Sequence, residues 1–390
     1  MLKAGLNMKQ LVSDFIKKHH LFHDHATILV GVSGGPDSMA LLHYLNAVKN
    51  EHHYRIIALV VDHQLRGEES KKDVAYVESI CKQWDIEVFS TSVDVSAYKK
   101  REKLGTQLAA RELRYQFFAQ SMETLDADYI TLAHHGDDQA ETMIMRFTRG
   151  TNPQALKGIP VKRRFATGYL VRPFLCLSKE TIEAYCAEHS IQPRLDPSNQ
   201  QDVYTRNFIR LHVLPLLKEK NPALHKSLQR LSENITQEDL FLEDEARKMV
   251  KAVVRVNEFK KATFKINDFI QYPYALQRRA FHLILNYLYH KIPKGLSYGH
   301  DDQFFELIHS NRANASIDLP MNLRITKQYS TISLHYPATT PTGFQIELDV
   351  PGNISLPDGS CLTASITTHP IANNKFVMSF PVSEQTNPQL

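Results

Sequence analysis

The chain has 390 residues, of which 43% are hydrophobic and 23% charged, so it is long enough for two or three domains with sizeable cores. No stretch approaches the roughly 20 apolar residues of a membrane span, and the N-terminal region lacks the apolar core of an export signal. These features argue against a membrane protein and predict a cytoplasmic location. The four cysteines are scattered without a CxxC pair, which argues against a zinc or iron–sulfur site built from four cysteine ligands. The formal net charge of +4 has its positive excess in residues 216–330, which is compatible either with nucleic acid binding or with a solvated basic face.

Strands and helices alternate through the first two hundred residues. This βαβα order predicts an α/β fold with a doubly wound parallel sheet. Ligands bind such a sheet beyond the carboxyl ends of its strands, where Ser33, Asp62 and His134 are expected to converge. The predicted strands are 28–32, 55–61, 86–91 and 129–133, and the predicted helices are 70–84, 106–122 and 137–147, with a further helix beginning at Met39.

The remainder of the chain changes character twice. A helical pattern over 203–220 is interpreted as a connector, and mostly helical spacing continues over 221–310. Short strand patterns begin at Ala315, and a Pro/Thr-rich break covers 336–342. We predict three domains, namely a catalytic domain over 1–215, a mostly helical domain over 216–336 and a small β-containing C-terminal domain over 343–390. The sequence leaves open whether the last of these is naturally short or incomplete.

The most specific motif is the sequence SGGPDS, which separates the first strand from its helix. It consists of Ser33, Gly34, Gly35, Pro36, Asp37 and Ser38. Unpaired backbone N–H groups at a helix N-terminus can hold a phosphate, and glycines allow the backbone to approach it closely. A carboxylate in such a loop would repel phosphate unless a cation lies between them, so Asp37 is a candidate Mg²⁺ ligand. The alternative is a capped strand-to-helix turn that binds nothing.

Two further motifs follow other strands. The segment VDHQLR places Asp62 and His63 after the second strand, where they either contact a ligand or shape the turn. The segment AHHGDDQAET places two adjacent carboxylates at a predicted helix start, which the helix dipole alone would favour. Asp138 and Glu141 are three residues apart and share one helix face, however, and a carboxylate pair facing a pocket suits an ammonium group or a metal ion.

The ordered set of motifs resembles the tRNA(Ile)-lysidine synthetases, a family of N-type ATP pyrophosphatases of the PP-loop superfamily. The loop at 33–38 resembles the SGGxDS pyrophosphate loop, and the segment at 132–142 is very close to a motif of this family. The other matching segments are AARELRY at 109–115, RPF at 172–174 with Ser178-Lys179, and DPSN at 196–199 with Arg206-Asn207 and Arg210. The resemblance covers residues 28–217, and the basic, Gly/Lys-rich tail usual in the family is not found.

The resemblance implies a ligase that joins free L-lysine to C2 of the wobble cytidine in tRNA(Ile) with a CAU anticodon. An adenylylated cytidine would form first, and AMP and PPi would be released, with ATP and Mg²⁺ required. Asp37, Arg111, Asp138 and Glu141 are the expected catalytic residues. Expected ATP contacts are Ser33, Gly34, Gly35, Pro36, Asp37, Ser38, Asp62 and His63. Asp138 and Glu141 are expected to bind the lysine ammonium.

The expected tRNA contacts are Arg206 and Arg210, together with Arg278 and Arg279 in the basic middle region. The last two could instead lie on an exposed helix face and contact nothing. Three other functions remain open from the residues: a tRNA thiolation enzyme, an amide-forming enzyme such as an NAD synthetase, and a nucleotide-binding sensor without catalysis. A homodimer is left open as well.

Overall fold

The computed structural model describes residues 2–150, 153–194, 205–257, 260–290, 292–293, 295–337, 346–356 and 360–367. The chain divides into two units, Met1–Asp244 and Glu245–Leu390. No helix in the described part of the chain combines the length and apolar character that crossing a membrane requires. The division lies within one long helix, and the three-domain scheme stays a prediction.

A six-stranded sheet forms the centre of the first unit, with strand order β3-β2-β1-β4-β6-β5. All neighbouring strands run parallel except β5 and β6, which pair as an antiparallel hairpin. The strands are β1 (Thr27–Val32), β2 (Arg55–Asp62), β3 (Glu87–Ser92), β4 (Tyr129–Thr131), β5 (Lys162–Phe165) and β6 (Gly168–Val171). The predicted α/β fold with a doubly wound parallel sheet is confirmed. The β5–β6 hairpin was not predicted, because two basic or mixed four-residue segments carry too little periodicity.

Helices cover both faces of this sheet because its central strands are apolar on both sides. Ile28 and Val30 of β1 join one buried cluster, whereas Leu29 joins another with Ile57 and Phe118. The helices are α1 (Leu2–Lys18), α2 (Pro36–His52), α3 (Glu68–Gln83), α4 (Val95–Glu102), α5 (Thr106–Thr124), α6 (Gly136–Thr148), α7 (Lys179–Glu188), α8 (Thr205–Phe208), α9 (Leu214–Lys220) and α10 (Leu224–Val253). Short 3-10 turns occupy Pro153–Lys157 and Pro173–Cys176.

The predicted continuous helix over 203–220 is interrupted. A π-helical turn, Ile209–Val213, separates α8 from α9, and residues 203–204 lie outside the described residues. Pro215 accounts for part of this break, since a proline cannot donate the hydrogen bond that a continuing helix needs. Such single π turns inside helices occur frequently at functional sites.

The second unit contains helices packed with an antiparallel sheet of order β7-β8-β11-β10-β9. Its core is rich in phenylalanine, and the rings of Phe281 and Phe304 stack with centroids 3.8 Å apart. The strands predicted from Ala315 are present, whereas β7 and β8 were not predicted. The elements are β7 (Arg255–Val256), β8 (Ala262–Lys265), α11 (Ile266–Ile270), α12 (Tyr274–Tyr289), α13 (Tyr298–His309), β9 (Asn314–Leu319), β10 (Leu323–Gln328), β11 (Thr331–His335), and a separate pair, β12 (Gly352–Ser355) and β13 (Cys361–Ala364). Most of the predicted break at 336–342 lies outside the described residues.

Candidate functional site

The loop between β1 and α2 is closed by its two serines. The backbone N–H of Ser33 donates to Ser38 Oγ (3.1 Å), and Ser38 Oγ donates to the carbonyl of Gly35 (3.0 Å). Gly34 has a φ of +82°, a conformation that favours glycine. Gly35 has an ordinary φ of −75°, and a Cβ there would meet nothing closer than Ser33 Oγ at 3.6 Å. Packing within the chain therefore does not require a glycine at position 35, which fits a backbone kept clear for a phosphate.

Asp37 lies in the first turn of α2 and contacts two side chains from other elements. Its Oδ1 is 2.6 Å from Lys179 Nζ and 3.9 Å from His135 Nε2. The carboxylate is 30% exposed, so it can be reached from solvent. The described residues contain no group of three or more His, Cys, Asp or Glu side chains that could hold a metal ion. Asp37 offers a single carboxylate, so a Mg²⁺ ion held there would take its other ligands from nucleotide phosphates and water, the usual Mg²⁺ arrangement in nucleotide-using enzymes.

The segment after β2 combines a structural aspartate with an unsatisfied histidine. Asp62 is buried, and its two carboxylate oxygens accept hydrogen bonds from the Gln64 N–H (2.8 Å) and from Ser92 Oγ (3.0 Å). Both bonds stabilise the turn, as the alternative interpretation of this segment expects. His63 is different, because its Nδ1 is buried without a hydrogen-bond partner. Its predicted contact with the nucleotide supplies one possible use for that atom.

Helix α6 begins at the carboxyl end of β4 with a reciprocal cap. The His135 ring accepts from the Asp137 N–H (3.2 Å), and Asp138 Oδ2 accepts from the His135 N–H (3.1 Å). His135 Nε2 also lies 3.5 Å from Asp138 Oδ2. Since the same ring nitrogen is 3.9 Å from Asp37, His135 lies between the loop at 33–38 and the carboxylates of α6.

The carboxylates of Asp138 and Glu141 are paired with arginines. Glu141 is fully buried, and its oxygens accept from Arg206 Nε (2.7 Å) and Arg210 Nε (2.5 Å). Asp138 Oδ1 lies 3.3 Å from Arg206 Nη2 and 3.4 Å from Arg210 Nη2. Burial raises the pKa of Asp138, but the charges of His135 and Arg206 outweigh it and lower this pKa to about 2. The structure thus brings together the two residues predicted for lysine and two of those predicted for tRNA.

A second ion-pair network lies beside the first and has no counterpart among the sequence-based predictions. Asp137 is buried, and its Oδ2 accepts from Lys218 Nζ (2.6 Å), which also donates to Glu180 Oε1 (2.8 Å). The other oxygen of Asp137, Oδ1, is buried without a hydrogen-bond partner. Adjacent acidic residues at 137 and 138 were visible in the sequence, but nothing there indicated that they separate into two networks.

The remaining predicted residues lie in three places. Arg111, on α5, is exposed, and its Nη2 donates to the hydroxyl of Tyr115 (3.2 Å). Arg278 and Arg279 are partly buried on α12, within the second unit. The segment at 196–199 lies outside the described residues. The assignment of individual site residues stays a prediction.

His134 lies three residues after the end of β4 and is held neutral. Burial lowers its pKa to about 3, Arg172 and Arg206 act in the same direction, and Asp138 opposes them. Arg172 Nε donates to His134 Nδ1 (3.3 Å), which requires that nitrogen to be unprotonated.

This neutral histidine should make the fold sensitive to acid. Below its unfolded-state pKa of about 6.5, His134 takes up a proton in the unfolded chain but not in the folded one until the pH approaches about 3. The free energy of unfolding is therefore expected to fall by about 1.4 kcal/mol per pH unit between these values. Urea unfolding at pH 7.5 and 5.5 should show a smaller decrease for His134→Gln than for the wild type. Equal decreases would contradict the assignment.

The four cysteines show no arrangement suited to chemistry. All are free, and burial raises the pKa of Cys81 to about 11, of Cys176 to about 12 and of Cys186 to about 11. Cys361, on β13 in the second unit, is exposed. Thiols with raised pKa values are poor nucleophiles and metal ligands, because the thiolate is the reactive form.

Comparison with known proteins finds a matching domain family and similar curated proteins. A family model for the PP-loop domain matches residues 4–217. A tRNA(Ile)-lysidine synthase from Oceanobacillus iheyensis is 45% identical over 360 residues, which is 92% of this chain and 77% of that protein. A tRNA(Ile)-lysidine synthase from Geobacillus kaustophilus is 40% identical over 359 residues, again 92% of this chain and 77% of that protein.

A solved structure supports the fold independently. The U34-tRNA thiolase NcsA from Methanococcus maripaludis, which was solved with its [4Fe-4S] cluster, superposes with a TM-score of 0.50 at 15% identity. The match covers 59% of this chain and 78% of the thiolase. At that identity the likeness concerns the fold alone. The family match and the curated relatives lead to one conclusion: the chain belongs to the tRNA(Ile)-lysidine synthase family, ligases with a PP-loop domain that use ATP.

Proposed function

We propose that this chain ligates L-lysine to C2 of the wobble cytidine of tRNA(Ile) with a CAU anticodon, at the expense of ATP. One observation carries the proposal beyond family membership. His135 Nε2 is 3.9 Å from Asp37 of the phosphate loop and 3.5 Å from Asp138 of the carboxylate pair. A phosphate-binding turn and a site suited to a cation are therefore adjacent, as the joining of an adenylylated substrate to an amine requires.

The reaction needs two steps because the C2 carbonyl of cytidine is a poor electrophile. In the first step O2 of the cytidine attacks the α-phosphate of ATP, and PPi leaves. In the second step the neutral amine of lysine attacks C2, a proton is lost from its nitrogen, and the C2–O bond breaks with release of AMP. Adenylylation replaces a hydroxide-like leaving group by a phosphate ester, which lowers the barrier to the second step.

The chain's residues divide between these steps. The turn at 33–38 would hold the β- and γ-phosphates through backbone N–H groups and the N-terminus of α2. Arg111 would steady the α-phosphate or the target base. Mg²⁺ at Asp37 would neutralise phosphate charge. Asp138 and Glu141 would hold the ammonium of lysine, and a nearby carboxylate could accept its proton.

Arg206 and Arg210 limit how lysine can bind. Because they already occupy the oxygens of Glu141, an incoming ammonium must share these carboxylates or displace a guanidinium. Each arginine side chain is more than a third exposed, so both can also meet a negatively charged group of a substrate. Their predicted contact with tRNA phosphates is therefore compatible with their pairing to Glu141.

The direct test is incubation with ATP, labelled lysine and a CAU-anticodon tRNA(Ile) transcript, scored for label in the RNA. A transcript with uridine at the wobble position is the matched control. It should stay unlabelled, because uridine lacks the exocyclic amine and its C4 carbonyl changes the hydrogen bonding and ring electronics. Comparable labelling of the two transcripts would argue against this function. Incorporation of sulfur into the RNA from a labelled sulfur donor, without incorporation of lysine, would indicate a thiolation enzyme. Binding of ATP without its turnover would indicate a sensor.

We further propose a cytoplasmic location, and the homodimer stays a prediction. Cytoplasm is where tRNA and ATP are both available. Size-exclusion chromatography with light scattering would determine the oligomeric state.

The middle region should contribute phosphate contacts that do not read sequence. Replacing Arg278 and Arg279 together by glutamine is expected to flatten the dependence of tRNA affinity on salt, by roughly 0.9 in log–log slope for each phosphate that is no longer neutralised. The choice of cytidine over uridine should not change, because phosphate contacts carry no base information. Filter binding at several salt concentrations measures the slope. An unchanged slope would place the tRNA surface elsewhere.

A further inference from the structure

Four arginines surround Tyr115 on one side of the first unit. Measured to the Tyr115 ring centroid, the guanidinium carbon lies at 4.7 Å for Arg111, 5.6 Å for Arg163 and 5.9 Å for Arg114. Arg172 is close enough for its charge to act on the same tyrosine. Burial raises the pKa of Tyr115, but these positive charges outweigh it and lower this pKa overall. The four arginines are called the Tyr115 cluster below.

The positive charge of the Tyr115 cluster is not balanced by carboxylates. Within the part of the chain that the structure describes, the hydrogen bonds of these arginines go to Tyr115, His134 and the carbonyl oxygens of Pro160 and Arg164, and none goes to Asp or Glu. Arg194 shows the ordinary situation, since it pairs with both Glu69 and Asp73. Arg114 Nε is buried without any hydrogen-bond partner, and Arg172 is only 3% exposed. Holding buried charges without counter-charges is costly, so an anion that occupies the cluster would relieve the cost.

The cluster is connected to the candidate active site through two histidines. Arg172 Nε donates to His134 Nδ1 (3.3 Å), at the end of β4. Burial lowers the pKa of His63, and the charge of Arg114 adds to this effect, which places Arg114 near the segment that follows β2. His63 Nδ1 is itself buried and unpartnered. Arg114 Nε and His63 Nδ1 are thus two buried nitrogens without a hydrogen-bond partner, and His63 directly follows the carboxyl end of β2.

The other side of the cluster reaches the edge of the sheet. Arg163 belongs to β5, the edge strand, where Lys162 and Arg164 flank it. The two flanking residues lie over the ring of Tyr169, at 4.7 Å and 4.3 Å, whereas Arg163 lies over Tyr115. Neighbouring positions on a strand point to opposite faces, so Arg163 and Arg164 are separated by the sheet. The cluster therefore reaches the edge of the sheet at Arg163 and is buried at Arg172.

We propose that the Tyr115 cluster binds a backbone phosphate of the nucleic acid substrate, next to the nucleotide that enters the active site. Arg114, Arg163 and Arg172 hold this phosphate, while the loop at 33–38 holds those of ATP. This inference rests on the proposed function for the identity of the nucleic acid. A phosphodiester fits the site because its chain can enter and leave along the open edge at β5, which a compact triphosphate does not need. The shared chemistry is a phosphate group, so the test separates RNA from ATP.

The test compares Arg163→Gln with Arg164→Gln in the full chain. The two variants lose the same charge at adjacent positions on opposite faces of β5. For Arg163→Gln we expect the Kd for a tRNA(Ile) transcript to rise about tenfold, as for loss of one charge-assisted hydrogen bond, and the salt dependence to weaken by roughly 0.7 to 0.9 in slope. For Arg164→Gln the Kd should change less than about twofold. ATP affinity, measured without RNA, should be unchanged in both.

Arg114→Gln provides a second measurement from inside the cluster. It should weaken tRNA binding at least as much as Arg163→Gln, and thermal unfolding shows whether the variant is folded. If it does not fold, the comparison of positions 163 and 164 still decides. Equal losses of tRNA affinity in Arg163→Gln and Arg164→Gln would overturn the proposal, because they would indicate a long-range effect of charge rather than a direct contact. Loss of ATP affinity with tRNA affinity retained would assign the cluster to ATP and overturn it too.

These readouts are independent of lysine transfer. A wild-type protein that transfers no lysine but shows the expected tRNA affinities would remove the proposed function and leave the phosphate site. If the wild type transfers lysine but the tRNA affinity of Arg163→Gln is unchanged, the proposed function stands and the phosphate site is removed.

Discussion

Replacing Asp37 by alanine is expected to reduce tRNA-dependent release of PPi from ATP by at least about a hundredfold, a typical cost of removing a group that stabilises developing charge. Asp37 is the single carboxylate of the loop at 33–38, and its contacts are Lys179 and His135. The fold should be retained, because the side chain is 30% exposed and its loss removes one ion pair. A coupled PPi assay measures the effect, and thermal unfolding verifies the fold.

Asp24→Ala is the matched control for this experiment. Asp24 precedes β1 whereas Asp37 follows it, so the two residues lie beyond opposite ends of one strand. The side chain of Asp24 is 69% exposed, against 30% for Asp37, and its Oδ1 lies 2.9 Å from His52 Nδ1. PPi release should be near the wild-type rate in the control. A folded Asp37→Ala protein with wild-type PPi release in Mg²⁺ would refute the role given to Asp37.

Glu141→Gln is expected to affect lysine use and stability together. The neutral amide cannot hold an ammonium as tightly, so the KM for lysine should rise more than tenfold, in line with the loss of a charge-assisted contact. Glu141 is fully buried between Arg206 and Arg210, so the substitution also weakens two ion pairs. We expect the free energy of unfolding to fall by roughly 1.5–3 kcal/mol. A wholly buried pair would cost more to break, but both arginines are more than a third exposed.

The two roles of Glu141 are separated by measuring the Kd for tRNA in the same variant. If Glu141 binds lysine, the KM for lysine rises and the tRNA Kd stays nearly constant. If it only positions the arginines, the tRNA Kd rises and the KM for lysine does not. Arg210→Gln is the companion variant, since it removes one guanidinium from the same carboxylate and leaves Arg206 in place. A tRNA defect there, without a lysine defect, would support the predicted contact between Arg210 and tRNA.

Local motifs in this sequence predicted the fold, but not how the charges of the candidate site pair. The run from 28 to 42 contains a strand, a turn and a helix start, each with a strong local signal, and β1 and α2 form as expected. Asp138 and Glu141 do share a helix face. Their arginine partners, however, lie more than 60 residues away in sequence, and spacing carries no information about such contacts.

The hairpin of β5 and β6 was missed for a related reason. The sequence KRRF at 162–165 is basic, short and without alternation, so no pattern marks it as a strand. It pairs because β6 offers an open edge, which is a property of the assembled sheet. The Tyr115 cluster depends on that pairing, since Arg163 reaches Tyr115 from β5. Arg111, Arg114 and Arg172 lie in segments that resemble family motifs, whereas no sequence pattern indicated Arg163.

The placement of the cysteines has a practical consequence for the experiments above. Three thiols lie in the first unit and are protonated at neutral pH because burial raises their pKa values. The fourth, Cys361, is exposed on β13 in the second unit. A maleimide dye should therefore attach to the unmodified wild-type chain at one position, outside the catalytic unit. Cys361 therefore serves as a natural attachment point for a fluorescent dye. Binding isotherms for every variant can then be recorded without an engineered cysteine.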